Sequence, residues 1–434
     1  MKKKEKAKRT WEENMIIGLY LNDKGYSDIN MSNPNKGNPG IGGTQYMYLM
    51  FGYYMKVYKP SVDIVYFHYN DSNCLPVGCK SVIVNEEIEI IEACVQNSID
   101  VLLHDTAKDK MWYQKAHEKG LRLAVWAECY VDYPEIQYIK DYDNVKRLVL
   151  VGHQEYDRYV DDTVIEKCTY IYNMFPITEC KRLPASNKEN IVTYMGSLNE
   201  EKGFHILAKH WKKVVRAIPD ARLVVIGSGR LYSRESRMGK FGLSEEHYEN
   251  RFMRYLTDSD GRILDSVEFK GIVGNEKEDI LKSTKVGIVN PSAVSETFCI
   301  SAVEMETVGV PVVTKRALGL CDTVRNKVTG LSFIWERDLP QNIIKLLKDD
   351  NLNDQYSING ISFAREKFDP MGIIAQWYKE LEKLEESPEY IAPSNHFFND
   401  WKWVRVLNRK VQHIIKTSSI VEIKYKIKKL VKKA

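Results

Sequence analysis

Two doubly wound α/β domains are the fold class predicted for this chain, on three observations. Apolar runs of strand length recur throughout, separated by stretches of helical periodicity. Many of these runs lack the polar alternation of a half-exposed strand, as expected of parallel strands covered on both faces. The chain has 434 residues, 44% of them apolar, which is too long for one ordinary core and sufficient for two.

In the first half the runs are Met15–Leu21, Asp63–Tyr69, Ser81–Val84, Val101–His104, Leu121–Trp126, Leu148–Val151 and Tyr170–Tyr172. In the second they are Ile191–Met195, Arg222–Ile226, Val267–Phe269, Val286–Val289 and Val310–Val313. The polar, Pro-containing stretch Pro184–Asn190 reads as the linker, dividing the chain into residues 1–185 and 186–370. Between Met371 and Glu386 the residues Ile373, Ile374, Trp377, Tyr378, Leu381 and Leu384 share one helix face. Beyond Pro388 and Pro393 the chain changes character, and residues 401–434 form a separate basic tail. There, Val404, Leu407, Val411, Ile414 and Ile415, then Ile420, Ile423, Ile427, Leu430 and Val431, predict two short amphipathic helices. Ser419 and Glu422 supply a capping box for the second.

Charge is unevenly spread. The net value is +4, but residues 2–9 carry +5 and residues 401–434 carry +10, which leaves the body, residues 10–400, at −11. The body therefore has no global nucleic-acid signature. The tail, with Trp401 and Trp403 at its start, suits an anionic membrane surface; packing on the body with solvated lysines is the competing reading. Eight scattered cysteines without a CxxC pair argue for reduced thiols and against a zinc site. No run has the length of a signal peptide or a membrane span, so a cytoplasmic protein is expected, peripheral on the inner face of the membrane.

The most informative stretch is Val286–Val313. An apolar strand stops at Asn290-Pro291-Ser292, a helix is predicted from Phe298 to Val308, and Gly309 closes it before the next strand. Glu296 and Glu304 are eight residues apart, which in one continuous helix is roughly 12 Å along the axis. Amides at such a helix N-terminus, Thr297, Phe298, Cys299 and Ile300, suit a phosphate group. A nucleotide sugar has the matching layout of phosphates between hydroxyl-bearing rings. The Glu296-to-Glu304 spacing followed by Gly309-Val310-Pro311-Val312-Val313 resembles the acidic signature of glycosyltransferase family 4, retaining enzymes of the GT-B fold. That resemblance implies two Rossmann-like domains facing a cleft, with the helix after Met371 crossing back to the first.

It also implies roles for other residues. Gly42 and Gly43, in the Gly/Pro-rich loop after the first strand, match a glycine pair facing the cleft, although an ordinary surface loop has the same composition. His104 ends a strand, where ligands bind in open α/β sheets, and resembles the histidine that contacts the donor sugar; a hydrogen-bonded strand-end histidine is the alternative. Glu128, also at a strand end, lines the acceptor side or makes a structural ion pair. In Gly196-Ser197-Leu198-Asn199-Glu200-Glu201-Lys202 the family shows Gly-Arg with a later Lys; Lys202 matches and Ser197 does not. Gly227 and Gly229 resemble the family's strand-end G-x-G, with Arg230 offered as the replacement cation. Ile272 lies in Phe269–Val273, which resembles the segment that reads the base through its backbone. Asp141-Tyr142-Asp143 and Asp258-Ser259-Asp260 follow no strand and are not read as a metal site.

The expected activity is a metal-independent hexosyltransferase that needs no cofactor. It would move a sugar from a UDP- or GDP-sugar to a glycan or lipid-linked acceptor in polysaccharide or glycolipid synthesis. His104, Glu296 and Lys202 would be the catalytic set and Glu304 would hold the nucleotide ribose, with no nucleic-acid partner. The alternative, suggested by Ser197 and Cys299 where the family favours Arg and Gly, is a degenerate module that binds a nucleotide sugar or a partner enzyme without turnover.

Overall fold

The computed structural model describes residues 15–177, 182–229, 237–274, 276–394 and 401–431. Its first sheet contains β1 (Ile16–Tyr20), β2 (Asp63–His68), β3 (Lys80–Ile83), β4 (Val101–His104), β5 (Leu123–Ala127), β6 (Val145–Leu150) and β7 (Cys168–Tyr170). The second contains β8 (Ile191–Met195), β9 (Arg222–Ile226), β10 (Val267–Gly271), β11 (Val286–Ile288), β12 (Val312–Lys315) and β13 (Gly330–Phe333). The orders are β3-β2-β1-β4-β5-β6-β7 and β10-β9-β8-β11-β12-β13, and neighbouring strands are parallel throughout. Both sheets are Rossmann-like, and each reverses its winding once, at β1/β4 and at β8/β11. Crevices open at the carboxyl ends of strands where winding reverses.

The strand runs read from the sequence all lie in these sheets, three with the expected bounds and the rest with ends moved by at most three residues. One strand, β13, was not expected. It has four residues, pairs with β12 at the sheet edge, and offers little beyond Leu331 and Phe333 as an apolar signal.

Helices cover both faces. Pro370–Glu382 lies against the first lobe, where Trp377 is fully buried with its ring 5.3 Å from Phe51 and 4.8 Å from Trp126. Buried Arg147, on β6, holds the end of this segment. Its guanidinium donates to the Lys383, Leu384 and Glu386 carbonyls and pairs with the Glu380 carboxylate. A cation placed among unpaired carbonyls complements the negative helix end.

The two lobes share an aromatic joint. Phe298, from the second sheet's loop, packs in the first lobe's core, 6.0 Å from Tyr172 and 5.3 Å from Phe368.

The tail forms two helices, Lys402–Gln412 and Ile420–Val431, both seated on the first lobe. Half of the expected capping box is present, with the Glu422 amide donating to Ser419 Oγ at 3.3 Å. No described helix is long and apolar enough to cross a membrane.

Candidate functional site

At the β8/β11 reversal, the loops leaving the two strands are pressed together. Gly203 has φ +69°, and a Cβ there would meet Ser292 at 2.6 Å, so only glycine lets the Lys202-Gly203 turn lie against the Asn290–Ser292 loop. The Ser292 hydroxyl donates to the Glu201 carbonyl and fastens the contact. Lys202 is delivered to Glu296 by this contact. Its Nζ stands 2.8 Å from Glu296 Oε2, and Asn290 Nδ2 donates to the same oxygen at 2.8 Å. The Glu296 side chain is 9% exposed and that of Lys202 is 27% exposed.

The Glu296 backbone is fixed from both lobes. Its carbonyl accepts the Gly319 amide at 3.1 Å and the Tyr130 hydroxyl, from the first lobe, at 2.9 Å. Next to it, Thr297 Oγ1 donates to the Glu128 carbonyl at 2.7 Å. Glu296 and Thr297 thus lie in the seam between the lobes, a buried place for a charged group that is hydrogen-bonded on every side described.

Helical geometry does not describe the two glutamates as expected. The helix runs Ile300–Thr307, starting at Cys299 in the left-handed conformation (φ +79°), so Glu296 precedes it and sits in a loop. The loop after Pro291 and the left-handed Cys299 delay the start of the helix to Ile300, two residues past the expected Phe298. Cys299 is buried; burial and the neighbouring Glu296 push its thiol far up, so it stays protonated. Glu304 lies within the helix, its carboxylate 2.5 Å from Lys277 Nζ.

A second group gathers at the ends of β8, β9 and β10. Ser197 Oγ donates to the Ser228 carbonyl at 3.3 Å, the Gly227 amide donates to the Gly271 carbonyl at 2.8 Å, and the Gly229 amide to the Leu243 carbonyl at 2.9 Å. Ile272 follows β10 with its side chain largely exposed. Arg230 lies outside the described residues.

From the first lobe, Gly42 donates its amide to Tyr26 Oη at 3.2 Å, and Gly43 opens the Gly43–Tyr58 helix with open space on its Cβ side. His104 is fully buried, its ring 4.6 Å from Trp112 and Nδ1 2.8 Å from the Asp105 carbonyl, while Nε2 is enclosed without a described partner. Burial, then the Lys108 cation, lowers its pKa to about 3, so the imidazole is neutral at physiological pH. Its described partners all belong to the first lobe. Glu128 accepts from Asn173 Nδ2 at 2.8 Å instead of making an ion pair, and burial raises its carboxyl to about 8. Asp143 and the Asp258/Asp260 pair engage His117 and Arg262, and no metal-ligating cluster occurs among the described residues.

Four contributors were not picked out from the sequence. Asn290, with φ +33° at the strand end, and Lys277 are polar residues beside motif positions, which is a weak signal. Tyr130 and Asp322 meet their partners across the lobes, and no periodicity encodes such pairs. Asp322 Oδ2 accepts the Gln154 amide at 2.9 Å, and burial, followed by the Asp157 charge, raises the carboxyl to about 7.

Residues 178–363 match the family described as Glycosyl transferases group 1. An uncharacterized glycosyltransferase of Methanocaldococcus jannaschii is 21% identical over 360 residues, 74% of this chain and 79% of that one. The capsular polysaccharide biosynthesis glycosyltransferase CapM of Staphylococcus aureus is 27% identical over 207 residues, 46% of each chain. Among solved structures, Anabaena HepE in complex with UDP and glucose superimposes with a TM-score of 0.59 at 16% identity, over 85% of this chain and 99% of that one. Residues 178–363 are thus similar to the glycosyltransferase group 1 family, and the chain has the GT-B arrangement of two Rossmann-like lobes.

Proposed function

We propose that the protein is a retaining glycosyltransferase of the family 4 kind, moving a hexose from a nucleotide-sugar donor to a glycan or lipid-linked acceptor without a metal. The observation that carries this reading is the Lys202–Glu296–Asn290 cluster at the β8/β11 reversal, in the seam between the lobes. In this reading Glu296 accepts hydrogen bonds from donor-sugar hydroxyls. Lys202, already beside it, meets the departing diphosphate together with the amides opening the Ile300–Thr307 helix. Glu304 holds the ribose, and the Gly227–Gly229 turn with the Ile272 segment holds the base. His104, neutral, turns Nε2 to the transferred sugar as the lobes close. No side chain is assigned as a nucleophile. That HepE was crystallised with UDP, with UDP-glucose and with UDP and glucose supports a nucleotide-sugar donor, and CapM supports a polysaccharide product.

The test is donor hydrolysis and transfer across a panel of UDP- and GDP-sugars, parent beside Glu296→Ala. Donor-dependent turnover lost in the variant is the expected result; turnover unaffected by Glu296→Ala refutes the assignment. Ser197, whose hydroxyl is turned to a backbone carbonyl where the resemblance calls for an arginine, favours the alternative of a binding module. Calorimetric donor binding with no turnover would select that reading.

A further inference from the structure

The tail helices are seated on the first lobe by their polar side. Along Lys402–Gln412 the inward stripe is Lys402, Arg405, Asn408 and Gln412, with Lys402 and Arg405 essentially inaccessible. These residues converge on one acidic corner. Arg405 pairs with Asp161, Asn408 donates to Asp161 Oδ2 at 2.8 Å, Ser419 Oγ donates to Asp162 Oδ2 at 2.7 Å, and the Ile420 amide donates to Asp161 Oδ2 at 2.7 Å. Val406 and Val421 pack against the first lobe's core, whereas the larger apolar side chains point the other way. Leu407 is 61% exposed and Ile414 84%, and on the second helix Leu430 is 69% and Val431 70% exposed. Among them stand Lys426, Lys428 and Lys429, with Trp401 and Trp403 exposed at the near end. An amphipathic hairpin folded on its own domain normally does the reverse.

We propose that this outward face is a docking surface for an anionic lipid bilayer. Apolar side chains ringed by lysines, with tryptophans at one edge, match a headgroup boundary, where rings and aliphatic groups enter and ammonium groups meet lipid phosphate. A second copy fits less well, because self-association would confront these lysines with their own kind. Residues 401–434 carry +10 against −11 for residues 10–400, so the tail contrasts in charge with the body. Arg405 Nη1 donates to the Arg158 carbonyl at 2.8 Å, the Arg158 guanidinium lies 3.8 Å over the Tyr130 ring, and the Tyr130 hydroxyl donates to the Glu296 carbonyl. Arg405, Arg158 and Tyr130 thus link the inward side of the tail to the seam, and a lipid-linked acceptor is the substrate class that a membrane-docked tail would serve. Docking itself stands independently; the lipid-linked acceptor rests on the proposed transfer reaction.

The experiment is flotation of the full chain with vesicles of phosphatidylcholine, with and without phosphatidylglycerol. The parent, Lys428→Glu/Lys429→Glu, Leu407→Ser/Ile414→Ser/Leu430→Ser and Glu296→Gln are compared, and urea midpoints establish that each variant is folded. The parent should float with the anionic vesicles alone. The charge reversal should weaken binding at least about tenfold, the serine variant should abolish it, and Glu296→Gln should float like the parent. A parent that stays with the lipid-free protein overturns the proposal. So does a serine variant that floats unchanged, a dimer that the serine substitutions make monomeric, or binding to a salt-matched oligonucleotide that outcompetes vesicles. If Glu296→Gln floats while no donor is turned over by any form, the transfer reading fails and docking survives.

Discussion

Replacing Glu296 by glutamine separates the chemical role of the carboxylate from its structural one. In the structure Oε2 accepts from Lys202 Nζ and from Asn290 Nδ2, each at 2.8 Å. An amide oxygen can keep the Asn290 contact. Lys202, 27% exposed, can turn to water, so little uncompensated charge is left behind. The stability cost should be under about 1 kcal/mol, against about 1–3 kcal/mol for Glu296→Ala, which takes one of two acceptors from the buried Asn290 amide and leaves it the Ser295 carbonyl. Catalysis should respond more strongly. Losing a charged contact made in the transition state costs about 2.7–4 kcal/mol, or ~10²–10³ in rate. The assay pairs urea unfolding with kcat/KM for whichever donor the screen selects. A glutamine variant within about threefold of the parent in kcat/KM, at equal stability, would refute the assignment of Glu296 to the reacting sugar.

Other outcomes can be checked in parallel. Asp322 is protonated more readily in the folded chain, with its pKa raised from 3.8 to about 7, so its contribution is full below pH 4 and is lost as pH rises through 7. Asp322→Asn should flatten that part of the pH dependence of the urea midpoint; an unchanged slope removes the explanation. Gly227 has φ +137°, and a Cβ there would lie 1.9 Å from the Gly196 carbonyl oxygen, so Gly227→Ala should lower stability by at least about 2 kcal/mol in denaturant titration. Arg147→Met should cost about 3 kcal/mol and speed amide exchange in residues 370–386, since the cation that gathers their last carbonyls is gone.

Much of this molecule was readable from its residues because parallel strands buried on both sides must be apolar throughout. Val101–His104, Ile191–Met195 and Arg222–Ile226 have the bounds expected of them. Edge strand β13 escaped because half-covered residues such as Ser332 dilute the pattern. At the site, Lys202 and Glu296 were recognisable from local motifs, and the fold brings them to one hydrogen bond. What could not be read was the loop geometry: a left-handed cysteine starts the helix after Glu296, which removes the regular spacing assumed between the two glutamates. Tyr130 was invisible for a simpler reason. Its partner is 166 positions away, and a tyrosine in a loop carries no mark of what it will touch. The tail helices were legible as amphipathic, but not which side would face the lobe, because that depends on Asp161 and Asp162 waiting in a distant turn.

The aromatic joint has a practical consequence for dissecting this protein. Phe298 falls within the matched segment 178–363, yet Tyr172 and Phe368, the rings that cover it, fall outside on either side. Excising that segment as a recombinant fragment would strip a phenylalanine of its shelter and leave an adhesive apolar wound beside the loop that carries Glu296. Fragments meant to isolate the second lobe should therefore start before residue 172 and run past residue 368.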